Sequence, residues 1–394
     1  MALNTGQRTS YADRSSVKDN IADRLDFMTP LDTPMLSYLG FMKDAGGAAS
    51  GANSLSFPCT QTRHTWLNDD LVPSTSALAA AYSAAGGSIT VTTDHGARFD
   101  DDDVIMIGLS RYLVTNVSVD TLTISIISDD AAHASGDVVY GLGNARLEGT
   151  EASAITARTT DFGSTENFTQ IFMGKVDMSG TEQATEYWGI NGDPYEYQVN
   201  KRLKEQAIQL ERSCIYSERS ATYPTTNATR RFMGGLSYYI RDDASANVTD
   251  ANGQDLDEIL INDMLQNIWE DGGMPDTIFV NMRQKRMLNS FLEPMVRVDR
   301  TETIYGTLVG TFHSDAGDLD VVINRHLKPD DLIILTREFI GIGPLSGNGN
   351  DRSFFVEKLP RSGDSDQSMM IGEYTMEVRN NTKAHGWIHD LSTA

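Results

Sequence analysis

The sequence predicts an α+β protein in which a small all-β unit interrupts a larger mixed fold. Strong helix-start signals at Asp193 and Asp255 lie among short apolar segments with the character of strands. Between about residues 86 and 148, the chain changes to short alternating apolar and polar runs separated by turns, which is typical of a small barrel or sandwich. A length of 394 residues allows two or three domains or subdomains.

Residues 1–53 are predicted to form an N-terminal arm. Apolar residues scattered between Leu25 and Phe41 supply anchors, while Pro30 and Pro34 prevent one continuous helix. The arm then ends in a stretch rich in Gly, Ala and Ser. Because such a segment cannot build a core of its own, we expect it to lie across another subunit or across its own domain. A disordered tail containing a short helix is the alternative.

Residues 54–190 have extended character on both sides of the predicted insertion. The part from Ser54 to Trp66 is predicted to be extended, and the part after the insertion contains few aliphatic residues, with Phe168–Met173 as its clearest strand. The strands predicted within the insertion are Ser88–Thr92, Val104–Ile107, Tyr112–Val119, Leu122–Ile126 and Val138–Tyr140. This region therefore looks like a long loop that carries a small all-β barrel at about 86–148.

A long helix is predicted to begin at Asp193. Asp193 suits the N-cap, Pro194 the first helical position and Glu196 the third, so three signals agree. The apolar face recurs at steps of four and three, and contains Val199, Leu203, Ala207, Leu210 and Cys214. If the helix runs to about Arg219, it is roughly 39 Å long at ~1.5 Å per residue, which suits a spine of the domain.

A second helix is predicted from a capping box formed by Asp255 and Glu258. Its apolar face contains Leu256, Ile259, Leu260, Met264, Leu265 and Ile268. Gly272 and Gly273 offer left-handed positions that stop the helix, and Pro275 prevents it from resuming.

A short buried strand, a further helix and a series of strands are predicted downstream. The strand is Thr277–Val280, and Asn281 caps a helix that continues to about Leu292. The later strands are Asp318–Asn324, Leu332–Leu335, Phe339–Ile342, Ser353–Val356 and Met369–Val378.

The composition argues against several classes of protein. A formal net charge of −23 argues against binding to nucleic acid, which needs clustered Lys and Arg to replace the phosphate counterions. The charge suits a container wall that repels tightly packed DNA, although solubility alone also explains it. No apolar run approaches the ~20 residues that cross a bilayer, and the first residues lack a signal peptide. We therefore expect no membrane contact and synthesis in the cytoplasm.

No catalytic, cofactor-binding or metal-binding residue is predicted. The glycine pairs at Gly141–Gly143 and Gly341–Gly343 do not continue into a nucleotide-binding motif, and no Ser lies in a nucleophile elbow. Cys59 and Cys214 lie far apart without metal-ligand spacing. They are expected to be reduced and buried thiols.

Three short segments contain metal-ligand residue types without a workable geometry. Of the seven histidines, His385 and His389 share helical spacing, but the residues between them suit a strand, which holds the rings too far apart. The run Asp100–Asp103 cannot converge on one cation because adjacent strand residues point to opposite faces, so a solvated turn is expected. Asp250–Gly253 does not fit a calcium loop, since apolar residues would occupy both ends of that loop.

Five blocks along the chain resemble those of one family of viral shell proteins. They are Trp66–Leu71, Phe172–Thr185, Arg230–Leu236, Gly272–Asn281, and Gly372–Asn380 with Ala384–Gly386. In this order they are similar to blocks of the major head proteins of tailed bacteriophages, which adopt the Hong Kong 97-like capsid fold. Each block is short, and the order in which the blocks follow one another carries the resemblance.

The resemblance implies a division of the chain into the parts of that fold. Residues 1–53 would be the arm, and residues 54–190 the extended loop that reaches over a neighbouring subunit, interrupted by the barrel. Residues 191–229 would carry the spine helix of the peripheral domain, residues 230–345 most of the axial domain, and residues 346–394 strands that return to the peripheral domain. The barrel would be an addition to the minimal fold.

The function implied by the resemblance is that of a structural major capsid protein with no active site. It would assemble into the hexamers and pentamers of an icosahedral head that encloses double-stranded DNA without sequence-specific contacts. Its expected partners are copies of itself, a portal protein, a scaffolding protein and a decoration protein. Its expected location is the virion capsid, after synthesis in the cytoplasm of a bacterial host.

Three alternatives stay open at this point. A cellular nanocompartment shell of the same fold would enclose an enzyme, and an adhesin or glycan-binding protein would use the β-barrel to bind. An enzyme is the third alternative, but no set of nucleophile, base or metal ligands can be assembled from the sequence.

Overall fold

The computed structural model describes residues 33–39, 57, 59–69, 71–151, 155, 159, 161–187, 192–220, 222, 225–226, 229–242, 247–292, 310–314, 317–361 and 363–393. The chain forms two compact units. The mixed unit comprises the chain up to Trp66 and from Thr165 onward, and the β unit comprises Leu67–Ser164. Within the described part of the chain, no helix has the length and apolarity needed to span a bilayer.

The described residues contain α-helices, β-strands, short 3-10 turns and a π-helical turn. The helices are α1 (Pro34–Tyr38), α2 (Gly180–Gln183), α3 (Pro194–Tyr216), α4 (Glu258–Glu270) and α5 (Met282–Leu292). The first strands are β1 (Arg63–Asn68), β2 (Thr75–Ala77), β3 (Ser88–Thr90), β4 (Asp103–Ile107), β5 (Ser110–Ser118), β6 (Thr121–Ser128), β7 (Val138–Asn144), β8 (Gly163–Phe168) and β9 (Gln170–Ser179). The later strands are β10 (Val248–Asp250), β11 (Thr277–Val280), β12 (Gly310–Ser314), β13 (Gly317–Ile323), β14 (Leu332–Leu335), β15 (Ile340–Pro344), β16 (Ser346–Gly347), β17 (Asn350–Asp351), β18 (Phe355–Leu359), β19 (Ser365–Val378) and β20 (Gly386–His389). The short 3-10 turns are Gly96–Arg98 and Arg337–Phe339, and Ser237–Asp242 is a π-helical turn.

A six-stranded sheet forms the centre of the mixed unit, in the order β10-β20-β14-β11-β13-β12. Strand β11 is parallel to β13 and antiparallel to β14, and all of its residues are buried. Successive side chains point to opposite faces, so Ile278 and Val280 join the core cluster that contains Met264 of α4. Phe279 points the other way and joins the cluster that contains Leu210 of α3. The sheet therefore has a core on each face.

Strand β19 is the centre of a second sheet in the mixed unit. Its residues Ser365–Tyr374 pair antiparallel with β9, and its other side pairs with β18 and then with β15. Helix α3 packs against β9 and β19, where Phe172 and Tyr374 share a core cluster with Leu210. This pairing places the C-terminal strands beside the segment that precedes the spine helix.

The β unit is built around one antiparallel sheet in the order β2-β7-β4-β5-β6-β3. Its buried side chains are Leu78, Tyr82, Ile89, Val91, Phe99, Ile105, Ile107, Tyr112, Val114, Leu122, Ile124 and Val139. An isolated bridge between Leu78 and Val91 joins the segments that follow the two outer strands. A closed barrel stays a prediction. The unit also extends beyond the predicted limits of about 86–148, because β2 pairs with β7 although its Thr-Ser-Ala sequence has little strand character.

The spine helix begins where the sequence predicts and ends three residues earlier. The Asp193 carboxylate accepts a hydrogen bond from the Tyr195 amide at 2.8 Å, which confirms the N-cap. The helix ends at Tyr216 rather than at about Arg219, because the backbone of Ser217 is extended. Leu203 is only half-buried.

The predicted capping box of the second helix is wrong by two residues. The N-cap of α4 is Asp257, whose carboxylate accepts from the Glu258 amide at 2.7 Å, and not Asp255. The side chain of Leu256, just before the helix, is buried in the core, and this burial fixes the point at which the helix begins. With this start, Ile259 points to solvent and is 67% exposed, although the apolar pattern placed it on the core face.

The two glycines after α4 act differently from each other. The Gly272 amide donates to the Trp269 carbonyl at 3.0 Å, and the Gly273 amide donates to the Ile268 carbonyl at 2.8 Å, which is a Schellman ending. Gly272 has a φ of +90°, a backbone conformation that favours glycine. Position 273 requires glycine for a different reason, because a Cβ there would lie 2.6 Å from the Ile268 side chain. The prediction of two left-handed glycines is therefore half right. Strand β11 and the start of α5 after Asn281 are confirmed.

The remaining strand predictions hold with shifted ends. The predicted strand Phe168–Met173 is divided at Thr169, because the polar groups of Thr169 bond outside the ladder to Thr62 and Glu373. Strand β15 begins at Ile340 because the three residues before it form a 3-10 turn. Strands β18 and β19 begin two residues later and four residues earlier than predicted, respectively.

Of the predicted arm, the structure describes residues 33–39 only. They form α1 and the turn after it, and Met35, Leu36 and Leu39 are buried in the main core cluster of the mixed unit. This part of the arm lies across its own unit. The Gly-rich end of the arm at 45–53 and the first residues of the predicted loop at 54–56 lie outside the described residues.

Candidate assembly site

The arm segment is held by a carboxylate that is completely buried in the mixed unit. Glu211 of α3 is 0% exposed, and its two oxygens accept from the Met35 and Leu36 amides at 2.9 and 3.0 Å. The Asn324 side chain donates to the same carboxylate at 2.7 Å. The first amides of a helix have no hydrogen-bond acceptor within the helix. Glu211 supplies the acceptor for two of these amides at the start of α1. We call these residues the Glu211 socket.

Tyr38 fixes the other end of the same segment. Its hydroxyl donates to Asp320 at 3.0 Å, and its ring packs edge-on against Phe279 with the Arg337 guanidinium 4.6 Å from the ring centre. Burial, followed by the neighbouring carboxylates, raises the pKa of Tyr38 to about 12, so the hydroxyl keeps its proton. The arm is therefore anchored by polar contacts at both ends of a buried apolar turn.

A second buried carboxylate joins three separate parts of the mixed unit. Glu373 of β19 is 3% exposed and lies 2.7 Å from the Arg231 guanidinium and 2.9 Å from that of Arg352. The Thr169 hydroxyl donates to it at 2.6 Å. One carboxylate on β19 thus joins the chain between β8 and β9, the segment before the π-helical turn and the segment between β17 and β18.

A third buried carboxylate holds the start of β1. Glu377 is hydrogen-bonded to His64 at 3.1 Å and is paired with Arg379. Burial by itself raises the pKa of Glu377, but the hydrogen bonds from His64 and Arg379 outweigh it and lower the pKa. Burial by itself lowers the pKa of His64, but hydrogen bonds with Cys59 and Glu377 raise it to about 9. His64 is therefore charged at neutral pH.

The sequence-based reasoning missed these three carboxylates. For Glu211 a signal was present, because it follows Ala207 and Leu210 at the spacing of the buried face of α3, where a charge calls for a partner. For Glu373 and Glu377 no signal existed, since acidic residues within a strand that is buried along most of its length can be recognised only once their partners are known.

The histidines and acidic runs examined for metal binding do not come together. His385 is completely buried and accepts from the Thr336 amide at 3.2 Å, and burial lowers its pKa to about 4. His389 is half-buried and lies 3.9 Å from Asp250. The two rings thus contact different groups and do not converge on one site.

The run Asp100–Asp103 forms a turn, as predicted, whose carboxylates bond to Arg146 and to backbone amides rather than converging on one point. Arg146 lies 3.1 Å from Asp100, and Asp101 accepts from the Val117 amide. Within the described ranges, no group of three His, Cys, Asp or Glu residues could hold a metal ion. Cys59 and Cys214 are free and buried, as predicted.

Both units expose apolar side chains. In the mixed unit these are Ile171, Met173, Tyr187, Phe232, Ile259, Trp269, Met274, Met282 and Val356. In the β unit they are Leu67, Leu71, Val72, Leu109, Val119, Ile126, Ile127, Val138, Tyr140, Leu142, Leu147, Ile155 and Phe162. Single exposed apolar residues are normal, but a set this large suits a protein that covers its surface with other chains.

The chain is similar to capsid proteins along nearly its whole length. The family model described as SU10 major capsid protein matches residues 3–392. The capsid asymmetric unit of cyanophage A-1(L) is similar in structure with a TM-score of 0.54 and 10% identity, over 98% of this chain and 100% of that chain. The capsid of a native GTA particle gives a TM-score of 0.52 and 9% identity, over 98% and 100%.

An encapsulin is also similar over part of the chain. The SrpI encapsulin of Synechococcus elongatus has a TM-score of 0.41 and 9% identity, over 59% of this chain and 78% of that chain. No curated protein matches significantly.

Proposed function

The chain belongs to the SU10 major capsid protein family, and on this premise we propose that it assembles into the hexamers and pentamers of an icosahedral phage head. It is a structural protein and not an enzyme. The family match over residues 3–392 is the observation that carries the proposal. The Hong Kong 97-like fold predicted from the sequence is confirmed by the two full-length structural matches.

The proposed parts of the subunit follow the limits predicted from the sequence. Residues 1–53 are the arm, 54–190 the extended loop with its all-β insertion, 191–229 the spine of the peripheral domain, 230–345 the axial domain and 346–394 the strands that return to the peripheral domain. The long pairing of β19 with β9 supports the last assignment, because it joins the C-terminal strands to the end of the proposed loop.

The proposed shell encloses double-stranded DNA without binding its sequence. The net charge of −23 supports this, since an acidic inner wall leaves packed DNA free to move in and out. A portal protein, a scaffolding protein and a decoration protein are the proposed partners. The protein is proposed to be made in the host cytoplasm before it enters the virion capsid.

The net negative charge also determines how the yield of assembled particles depends on salt concentration. Subunits of like charge repel until the charges are screened, and the Debye length is about 10 Å at 0.1 M salt. We expect the yield of assembled particles to rise with ionic strength from low salt. A yield that does not change with ionic strength would contradict this account.

Electron microscopy of the expressed full chain tests the proposed function. Closed particles built from hexamers and pentamers are expected, and nuclease-protected DNA is expected inside particles made during infection. Subunits that stay monomeric at every ionic strength, also when the other viral head proteins are present, would overturn the proposal. Particles that contain a cargo enzyme instead of DNA would indicate a nanocompartment.

A further inference from the structure

The hairpin between β5 and β6 has an unfavourable residue at its tip. Its turn has two residues, Val119 and Asp120, between the paired ends Ser118 and Thr121. Val119 has a φ of +50°, and Asp120 does not have a positive φ. A positive φ at the first central position of a two-residue hairpin turn favours Gly, Asn or Asp there. A β-branched residue with positive φ is a genuine outlier.

The surrounding chain holds Val119 in this conformation. The Asp120 carboxylate accepts from the Gly96 amide at 3.1 Å, and the Asp120 carbonyl accepts from the Val91 amide at 2.9 Å. Gly96 packs so closely that a Cβ there would overlap the carbonyl oxygen of Val119. The turn is thus held by two hydrogen bonds to Asp120 and by the close approach of Gly96 to Val119.

The strain at Val119 brings no benefit within the β unit. Its side chain is 82% exposed and takes no part in the buried core of that unit. Gly or Asn would form this turn more easily and would leave the core unchanged. Strain that the surrounding structure maintains is found mostly where a chain binds something.

The tip is apolar at its end and acidic around its base. Asp120 belongs to the turn, Asp101 accepts from the Val117 amide at 3.1 Å, and Asp94 lies two residues before Gly96. A surface that receives this tip must therefore combine apolar walls with positive charge and contain few carboxylates.

One cavity of the mixed unit has this combination. It has a volume of about 520 Å³, and its walls include Ile171 and Phe232, which are 46% and 47% exposed, together with the exposed Arg230 and with Arg231, whose charge is paired with Glu373. None of the described residues that line it is acidic. We call it the Arg230 cavity.

The other cavities fit the tip less well. The cavity between β9 and α3 has three acidic residues, Asp177, Glu182 and Glu205, beside three basic ones. The cavity beside β20 has five aspartates and two basic residues, and the cavity beside β17 has Asp351 next to Arg352. Each of these cavities thus has at least one carboxylate in its described lining, unlike the Arg230 cavity.

We propose that the Val119 tip of one subunit inserts into the Arg230 cavity of a second copy of this chain. The contact joins two different patches, so it is a head-to-tail interface, and such an interface closes into rings when the rotation allows it. The inference rests on the proposed shell function, since it assigns one of the contacts between neighbours in that shell. The strained turn presents Val119 rigidly, so the residue loses little freedom when it binds.

The test compares Val119→Asn with two matched variants in the full chain. Ala85→Gly relieves another positive φ in the β unit, and Leu109→Asn removes another exposed apolar residue of a hairpin turn whose own φ is not positive. Thermal unfolding of unassembled subunits and sedimentation of assembled particles are measured for each. For Val119→Asn we expect a higher Tm and a midpoint concentration of assembly raised about tenfold, which corresponds to about 1.4 kcal/mol. The two controls should assemble as the wild type does.

A double-mutant cycle then identifies the receiving surface. Val119→Lys and Arg230→Glu should each weaken assembly, and the pair together should restore part of it, because the new charges attract each other.

If Val119→Asn assembles as well as the wild type, the inference is overturned while the shell function stands. If the cycle shows no coupling, the Arg230 cavity is not the receiver and the proposed contact is overturned. If the wild type itself never assembles, the shell function fails.

Discussion

The mixed unit and the β unit keep their chains together in different ways. In the mixed unit, buried carboxylates connect segments far apart in sequence, as Glu211 does with Met35 and Glu373 with Thr169, across 176 and 204 residues. In the β unit, consecutive hairpins of β4, β5 and β6 surround a core of aliphatic and aromatic side chains. The mixed unit therefore adds long-range polar contacts to its two apolar cores, whereas the β unit is held mainly by apolar contacts between neighbouring strands.

This difference suits the two roles that a shell subunit combines. A framework made of distant segments changes shape when one anchor is released, whereas a locally folded module keeps its shape when its surroundings change. The β unit is thus suited to present a fixed surface such as the Val119 tip, and the mixed unit to respond to assembly.

The largest expected effect is at the Glu211 socket. Glu211→Ala leaves the Met35 and Leu36 amides and the Asn324 side chain without their acceptor, and we expect it to lower the free energy of unfolding of the mixed unit by about 3–5 kcal/mol. Hydrogen exchange at the Met35 and Leu36 amides should become much faster. The control is Glu205→Ala on the same helix, at a half-exposed ion pair, which should change stability by less than about 0.5 kcal/mol. Unchanged exchange at both amides in Glu211→Ala would show that the socket does not hold the arm.

The next largest effect is expected in the core of the β unit, and it tests whether the two units unfold independently. Ile105 is completely buried in the β unit, and Ile105→Ala should destabilise that unit by about 2–4 kcal/mol through a lost contact and a cavity. Because the core of the β unit is its own, exchange at Met35 in the mixed unit should stay the same. Ile126→Ala, at a side chain that is 49% exposed, is the control. Faster exchange throughout both units would mean that they unfold together.

A smaller effect is expected from pH in the mixed unit. The pKa of His64 is raised to about 9 in the folded protein, so its contribution is fully present below the ordinary pKa of 6.5 and is lost as pH rises through about 9. Because His64 is partly exposed, we expect a loss of about 1–2 kcal/mol over this window. Denaturant titrations at several pH values should show this slope, and His64→Gln should remove it. His313→Gln, at an exposed histidine, should keep the slope. A slope that persists in His64→Gln would assign it to other groups.

The smallest effect is expected at the start of the spine helix. Asp193→Ala removes the acceptor of the Tyr195 amide and should cost about 1 kcal/mol, whereas Asp193→Ser should cost less because its hydroxyl still caps the helix. Thermal unfolding measures the difference. Equal stability of the Ala and Ser variants would show that Pro194 alone sets the start of the helix.

Signals that lie within a few residues of the chain predicted most of the local structure. The cap at Asp193, the strand Thr277–Val280 and the helix after Asn281 are found where they are predicted, because each depends on neighbouring residues. The start of α4 was placed two residues early, since two aspartates compete for the cap and the burial of Leu256 decides between them. The break at Thr169 was missed, because its hydrogen-bond partners lie far along the chain.

By itself, the sequence determined the fold class, the long spine helix, the absence of a predicted reactive motif and the order of blocks that matches a family of capsid proteins. The fold class and the helix follow from hydrophobic period, capping residues and spacing, which act over short distances, whereas the order of blocks is recognised only by its resemblance to a known family. Only the tertiary structure showed the Glu211 socket and the strained tip at Val119. A buried charge and a positive φ are both unfavourable alone. They persist because distant segments supply the hydrogen bonds and close contacts that hold them, and local sequence does not reveal those partners.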